Sequence, residues 1–244
     1  MRIGTLGLLF AATCFSALAE DPPKPKWSGE ASAGSVVTTG NSDSSSINAK
    51  GEVVYQSERW RNTTNGSAIR TEATDSTGAD VKTAERYLLG NKTDFNFTEH
   101  DYAFLALEFE KDLVGPVRER TSETAGYGRK ILTGPEHLLE AELGAGSRQT
   151  EAQGTQEKDS DLIGRLRVAY KWNFSDTSSF GETVKVESGS SNTFSESITE
   201  LRLSLVEKLY ALASYTVRTN SDVPVGAEKT DTITAISLGW TFGK

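Results

Sequence analysis

Charged residues recur at alternate positions along this chain, and that spacing decides what chemistry they can do. Lys92 and Asp94, Glu108 and Glu110, Glu140 and Glu142, and Arg165 and Arg167 are each separated by a single Thr, Phe, Ala or Leu. Side chains of a β-strand alternate between faces, so each pair projects to one side and its uncharged neighbour to the other. Glu30, Glu52, Lys171, Lys185 and Arg218 follow the same pattern in their own segments. Acids dominate the earlier segments and bases the later ones. If the segments close on themselves, two outcomes follow: salt bridges that fill the interior, or a narrow polar passage with a transverse field.

Catalytic chemistry finds little support. A Ser-His hydrolase of membrane lipid needs its His at the lipid's depth, beside a Ser and an orienting partner. The two His, His100 and His137, fall in short turns at the wrong end of the expected fold. HExxH, phosphate-loop, GxSxG and dinucleotide fingerprints are missing from the sequence. The acids Glu151, Glu157, Asp159 and Asp161 offer oxygen ligands that could bridge a divalent cation to lipopolysaccharide, but without EF-hand spacing they read as a solvated loop. The expectation is no catalytic residue, no metal site and no cofactor.

The elements that position the charges are short and strand-like. Segments near 27–39, 46–59, 63–75, 83–97, 101–113, 118–131, 137–149, 161–174, 178–189, 195–206, 209–219 and 231–242 alternate apolar with polar residues. Each is close to the roughly 9–11 residues that a tilted outer-membrane strand requires. Leu139, Ala141, Leu143 and Ala145 oppose Glu140 and Glu142, and Leu166, Val168, Tyr170 and Trp172 oppose Arg165, Arg167 and Lys171. Helical three- and four-residue spacing is not seen. Two stretches fit poorly: 63–75 is rich in Thr, Ala, Arg and Glu, and Glu182 falls on the apolar face of its strand. Connections alternate between short (56–59, 98–100, 133–136, 175–177, 207–208) and longer, polar ones (40–45, 76–82, 151–160, 190–194, 220–230). Short turns at one end and longer loops at the other predict an all-β, up-and-down antiparallel transmembrane β-barrel of about 12 strands, both termini on the periplasmic side.

Composition and targeting agree with that class. The chain has 244 residues, 36% hydrophobic and 25% charged, with a net charge of −8. Residues 1–19 read as an export signal: Arg2 is the basic start, Ile3 onward is apolar, and Ala17-Leu18-Ala19 precedes the expected cleavage. A lipidation signal at Cys14 is poorly formed, and cleavage after Ala19 removes the chain's single Cys, so no disulfide is expected. Residues 20–26 form a Pro-rich lead, and 27–244 the barrel domain. The acidic balance argues against nucleic acid as a partner. Trp27, Tyr55, Trp60, Phe97, Tyr102, Trp172, Phe174, Phe180, Tyr210, Trp240 and Phe242 gather at the chain ends and short turns, as an interfacial aromatic girdle would. The opposite rim has few aromatics, Phe194 being the main one.

The stretch Trp27-Ser-Gly-Glu-Ala-Ser-Ala-Gly-Ser-Val-Val-Thr-Thr-Gly-Asn-Ser42, followed by Asn48-Ala-Lys-Gly-Glu-Val-Val-Tyr55 and Trp60, resembles the opening of the salt-induced outer membrane proteins, the YdiY-like family of unknown function. The resemblance implies an outer-membrane barrel with no assigned substrate, and carries over no catalytic residue. The Gly239-Trp-Thr-Phe242 ending has the aromatic that barrel-assembly machinery recognises, although Gly243 and Lys244 extend past it. The expected partners are therefore outer-membrane lipid, lipopolysaccharide and the assembly machinery; the oligomeric state stays open. The expected role is non-catalytic and porin-like, in a Gram-negative outer membrane: envelope integrity in an osmotic response, or passive passage of small polar or ionic solutes. Two alternatives remain, an outer-membrane lipid hydrolase and a soluble periplasmic ligand-binding β-sandwich.

Overall fold

A computed structural model describes residues 26–38, 44–75, 77–154 and 157–243. The expected export signal and the Pro-rich lead before Lys26 lie outside the described residues. Twelve strands follow one another: β1 Lys26–Thr38, β2 Ser44–Gln56, β3 Trp60–Thr74, β4 Asp80–Asn96, β5 Asp101–Asp112, β6 Val117–Thr133, β7 His137–Ala152, β8 Lys158–Ser175, β9 Ser178–Ser188, β10 Thr193–Ser204, β11 Leu209–Asn220 and β12 Thr230–Phe242. Each pairs antiparallel with its neighbours, and β1 meets β12 to close a barrel.

Register converts the alternation into two surfaces. Leu143 of β7 stands opposite Leu166 of β8, while Glu142 stands opposite Arg167. Leu143 is 67% exposed and Glu142 only 1%. Leu89, Leu105, Leu162, Ile236 and Leu238 are likewise exposed on the outside. A predominantly apolar exterior of this extent suits lipid. The soluble β-sandwich alternative, which would hide these residues between two sheets, is overturned by the closed barrel.

Turns at the end where β1 begins and β12 finishes (the terminal end) are short, covering 57–59, 97–100, 134–136, 176–177 and 205–208. At the far end, strands run further out than the sequence suggests: β7 extends to Ala152 and β8 begins at Lys158, within the expected 151–160 loop. The wall is taller on one side, since β3, β4, β6, β7 and β8 span 15 to 18 residues and β9 to β12 only 11 to 13. The closing seam is brief, with five paired residues, Gly29 to Ala33 against Phe242 to Leu238. Above it, Ser237 reaches past β1 and its hydroxyl donates to Asn48 Oδ1 of β2 at 2.7 Å.

Three aromatics turn out differently from the girdle reading. Tyr102 and Tyr210 are buried inside the barrel, and so is Phe194, the expected far-rim aromatic. The cause lies on the neighbouring strands. Tyr102 is paired with Gly128 and Tyr210 with Gly239. A Cβ at either glycine would collide with the tyrosine ring, so the missing side chain gives the ring a place to lie flat against the inner wall. Gly239→Val is expected to lose about 1–3 kcal/mol by overpacking. The check is the denaturant midpoint of the unheated, fast-migrating gel form. Gly164, whose surroundings are open, supplies the control: Gly164→Val should leave that midpoint in place.

Candidate functional site

The inner wall carries every charge singled out by spacing, and the barrel brings most of them together across the lumen. Glu142 is the hub. Its carboxylate accepts from Arg165 Nη1 at 2.8 Å and from the Tyr102 hydroxyl at 3.0 Å, contacts Lys92 Nζ, and has Arg167 at 3.6 Å. Arg165 and Arg167 come from the adjacent β8, whereas Lys92 reaches over from β4. Arg61 of β3 ties Asp94 on its neighbour, at 2.7 Å, to Glu140 on the distant β7, at 3.2 Å.

A second tier lies toward the far end. Lys185 of β9 meets Glu108 of β5 and approaches Glu196 at 3.8 Å. Arg218 of β11 meets Glu110 of β5 and donates to Glu196 at 3.1 Å. Arg120 of β6 donates to Asn220 Oδ1 of β11 at 2.9 Å. Arg148 is bound by Asp161 at 3.4 Å, Glu187 at 4.0 Å and the Asn192 carbonyl at 2.5 Å. Buried charges are tolerated when paired and hydrogen-bonded, and the lattice supplies both for Glu142, Glu110 and Arg218. The inward aromatics add to it: Arg120 lies 3.9 Å from the Phe194 ring centre, Arg165 5.1 Å from Phe104, and Arg202 3.5 Å from Tyr210.

Two cavities flank the lattice. One of about 390 Å³ opens toward the end where β1 begins and β12 finishes, and includes Glu30, Glu52, Glu140 and Lys171 in its lining. The other, about 500 Å³, lies at the far rim beside Arg86, Asp112, Asp231 and the 221–229 loop. Neither is lined by Glu142, Glu108 or Lys185.

Several inward charges escaped the spacing argument: Lys50, Arg61, Arg120, Arg148, Glu187, Glu196, Glu200 and Arg202. Basic groups on early strands and acids on late ones weaken the expected segregation of sign. The signal for many was available, since Arg148 shares parity with Glu142 and Glu187 with Lys185. The 151–161 acids do not gather. Asp161 points inward to the Ser190 and Ser191 hydroxyls and Arg148, while Glu151 pairs with Lys158 at 3.6 Å. Among the described residues no group of three or more His, Cys, Asp or Glu is arranged to hold a metal.

On the outside, Trp27, Trp60, Phe97, Trp172, Phe174, Trp240 and Phe242 are exposed near the terminal rim. Tyr55 packs against Trp27 with ring centres 4.9 Å apart, and Phe180 is paired with Leu201 on the same outer face. His137 stacks beside Trp172, and its Nδ1 lies 2.9 Å from the Tyr170 hydroxyl. Glu182 does face outward; its two carboxylate oxygens accept from Ser197 and Thr199, each at 2.6 Å. Asn62, Thr64, Asn91 and Thr93 satisfy one another in a second outward polar group.

Twelve antiparallel strands closed into a cylinder, apolar outside and ionic within, define the fold class of outer-membrane β-barrels. Solved structures with this fold include the NanC porin, with a TM-score of 0.52 and 7% identity over 89% of this chain and 99% of that one. An outer membrane channel from Pseudomonas putida F1 has a TM-score of 0.53 at 8% identity, covering 90% of this chain and 96% of its own. In sequence, residues 31–242 match the family described as protein of unknown function, DUF481. The uncharacterized protein YdiY of Escherichia coli (strain K12) is 31% identical over 226 residues, which cover 91% of this chain and 87% of that protein. The chain belongs to this YdiY-like family of unknown function.

Proposed function

We propose that the protein is a non-catalytic outer-membrane barrel that restricts the passage of small polar or ionic solutes, its lumen held shut at rest by ion pairs. The observation that carries this reading is the buried lattice around Glu142, Glu108 and Glu110, flanked by a cavity at each end. The lattice is ionic, so it can exchange partners with water or a passing ion, which an apolar core could not do. In this reading residues 1–19 direct export and are removed, and the assembly machinery inserts the barrel. Arg70–Glu72, Lys82–Glu85 and Lys111–Glu119 lie on the taller side of the far end, where lipopolysaccharide head groups would meet them.

Single-channel recording in a planar bilayer tests the proposal. The wild type is expected to be nearly silent at rest. The double variant Glu108→Gln/Lys185→Met removes both partners of one cross-lumen tie, so it leaves neither charge stranded. It should conduct in larger and more frequent steps while keeping the heat-dependent gel shift. A second reading, a purely structural envelope barrel, draws on the near-complete burial of Asp94 and Glu142. Silence of the folded double variant would favour that one.

A further inference from the structure

The cavity at the terminal end holds a charge arrangement that the closing lattice does not use. On one wall, Lys50 Nζ meets Glu200 Oε1 at 2.7 Å and Arg202 Nη1 meets Glu30 Oε2 at 2.5 Å. Glu52 belongs to the same wall, on β2, yet makes no ion pair among the described residues. On the facing wall stands Lys130 of β6, whose Nζ donates to the neutral amide oxygen of Asn96 at 3.1 Å. The nearby acid Glu140 is already engaged by Arg61. One carboxylate and one ammonium, neither in a direct ion pair among the described residues, thus lie four strands apart around the same cavity.

Acids and bases are equal in number along this lining: Glu30, Glu52, Glu140 and Glu200 against Lys50, Lys130, Lys171 and Arg202. A simple cation or anion therefore gains at one wall and loses at the other. A molecule with both charges gains at each. The volume, about 390 Å³, falls within the range of small-molecule sites. We propose that this cavity is a binding site for a small zwitterion, its cationic end at Glu52 and its anionic end at Lys130. The site deepens the passage reading by naming a solute class, but it needs only a cavity open to solution and no conduction through the lattice.

Calorimetric titration of the purified barrel in detergent micelles separates the two ideas. The probes are γ-aminobutyrate and ε-aminocaproate, with butyrate and butylamine as singly charged analogues. The zwitterions are expected to bind saturably, with the analogues weaker by about tenfold or more. Glu52→Gln and Lys130→Met should each weaken the zwitterions by about tenfold. The exchanged variant Glu52→Lys/Lys130→Glu should recover most of that loss, because the ligand can turn end for end. Folding of each variant is read from its heat-dependent gel shift. Equal binding of butyrate or butylamine, or undiminished zwitterion binding in both folded single variants, would overturn the proposal whatever the bilayer recordings give.

Discussion

Glu142→Gln is expected to cost about 3–5 kcal/mol of folding stability, the loss typical when one partner is removed from a buried ion pair. The size follows from what is left behind. Lys92, Arg165 and Arg167 all converge on this one carboxylate, and Arg165 is almost wholly out of solvent. Gln fills the same space but returns none of the charge. The measurement is urea unfolding of barrels folded into vesicles, followed by tryptophan fluorescence and gel mobility. Adding Lys92→Met to Glu142→Gln should restore part of the loss, because one of the stranded cations is then gone. A midpoint unmoved by Glu142→Gln would mean that water already compensates these charges and that the interior is wetter than the lattice implies.

Leu143→Arg should be nearly as damaging, for the opposite reason. The side chain points away from the lumen and is two-thirds exposed, so in a water-soluble protein this change would fall within about ±0.5 kcal/mol. Facing hydrocarbon, an arginine near the midplane costs about 2–4 kcal/mol. The sign of the experiment therefore distinguishes lipid from water as the outer solvent. Reduced folding yield into vesicles, with little change in detergent, is the expected pattern. Equal yields in both would remove the claim that this surface lies in a bilayer.

The strands and their faces were legible because a period of two is a strong signal wherever apolar and charged residues both take part. Lys92 and Asp94 against Leu89 and Phe95, or Arg165 and Arg167 against Leu166 and Val168, leave a single solution for which side is inner. The same rule would have assigned Tyr102 and Tyr210 correctly. Tyr102 shares parity with Glu108 and Glu110 on β5, and Tyr210 with Arg218 on β11. Closeness to a turn was the misleading criterion, since an aromatic near the rim can lie on either face. The stretch around β3 was hard to read because both of its faces are polar: Asn62 and Thr64 look outward, Arg61 and Asn65 inward. The partners within the lumen could not be read at all. Whether Lys92 meets Glu142 or Lys185 meets Glu108 depends on strand stagger and tilt, which alternation does not encode.

The joint between the first and last strands has a consequence of its own. Gly29 to Ala33 and Leu238 to Phe242 hold it with five rungs, where β11 and β12 share eleven and β7 and β8 fifteen. A cylinder is as secure as its thinnest weld, and parting this one breaks fewer backbone hydrogen bonds than separating either of those pairs. Opened there, the molecule becomes a curled sheet with two raw edges inside the bilayer, where unpaired amides are costly. The last strand's Trp240 and Phe242 sit at that weld, so the segment expected to be recognised during insertion is also the one that completes the ring.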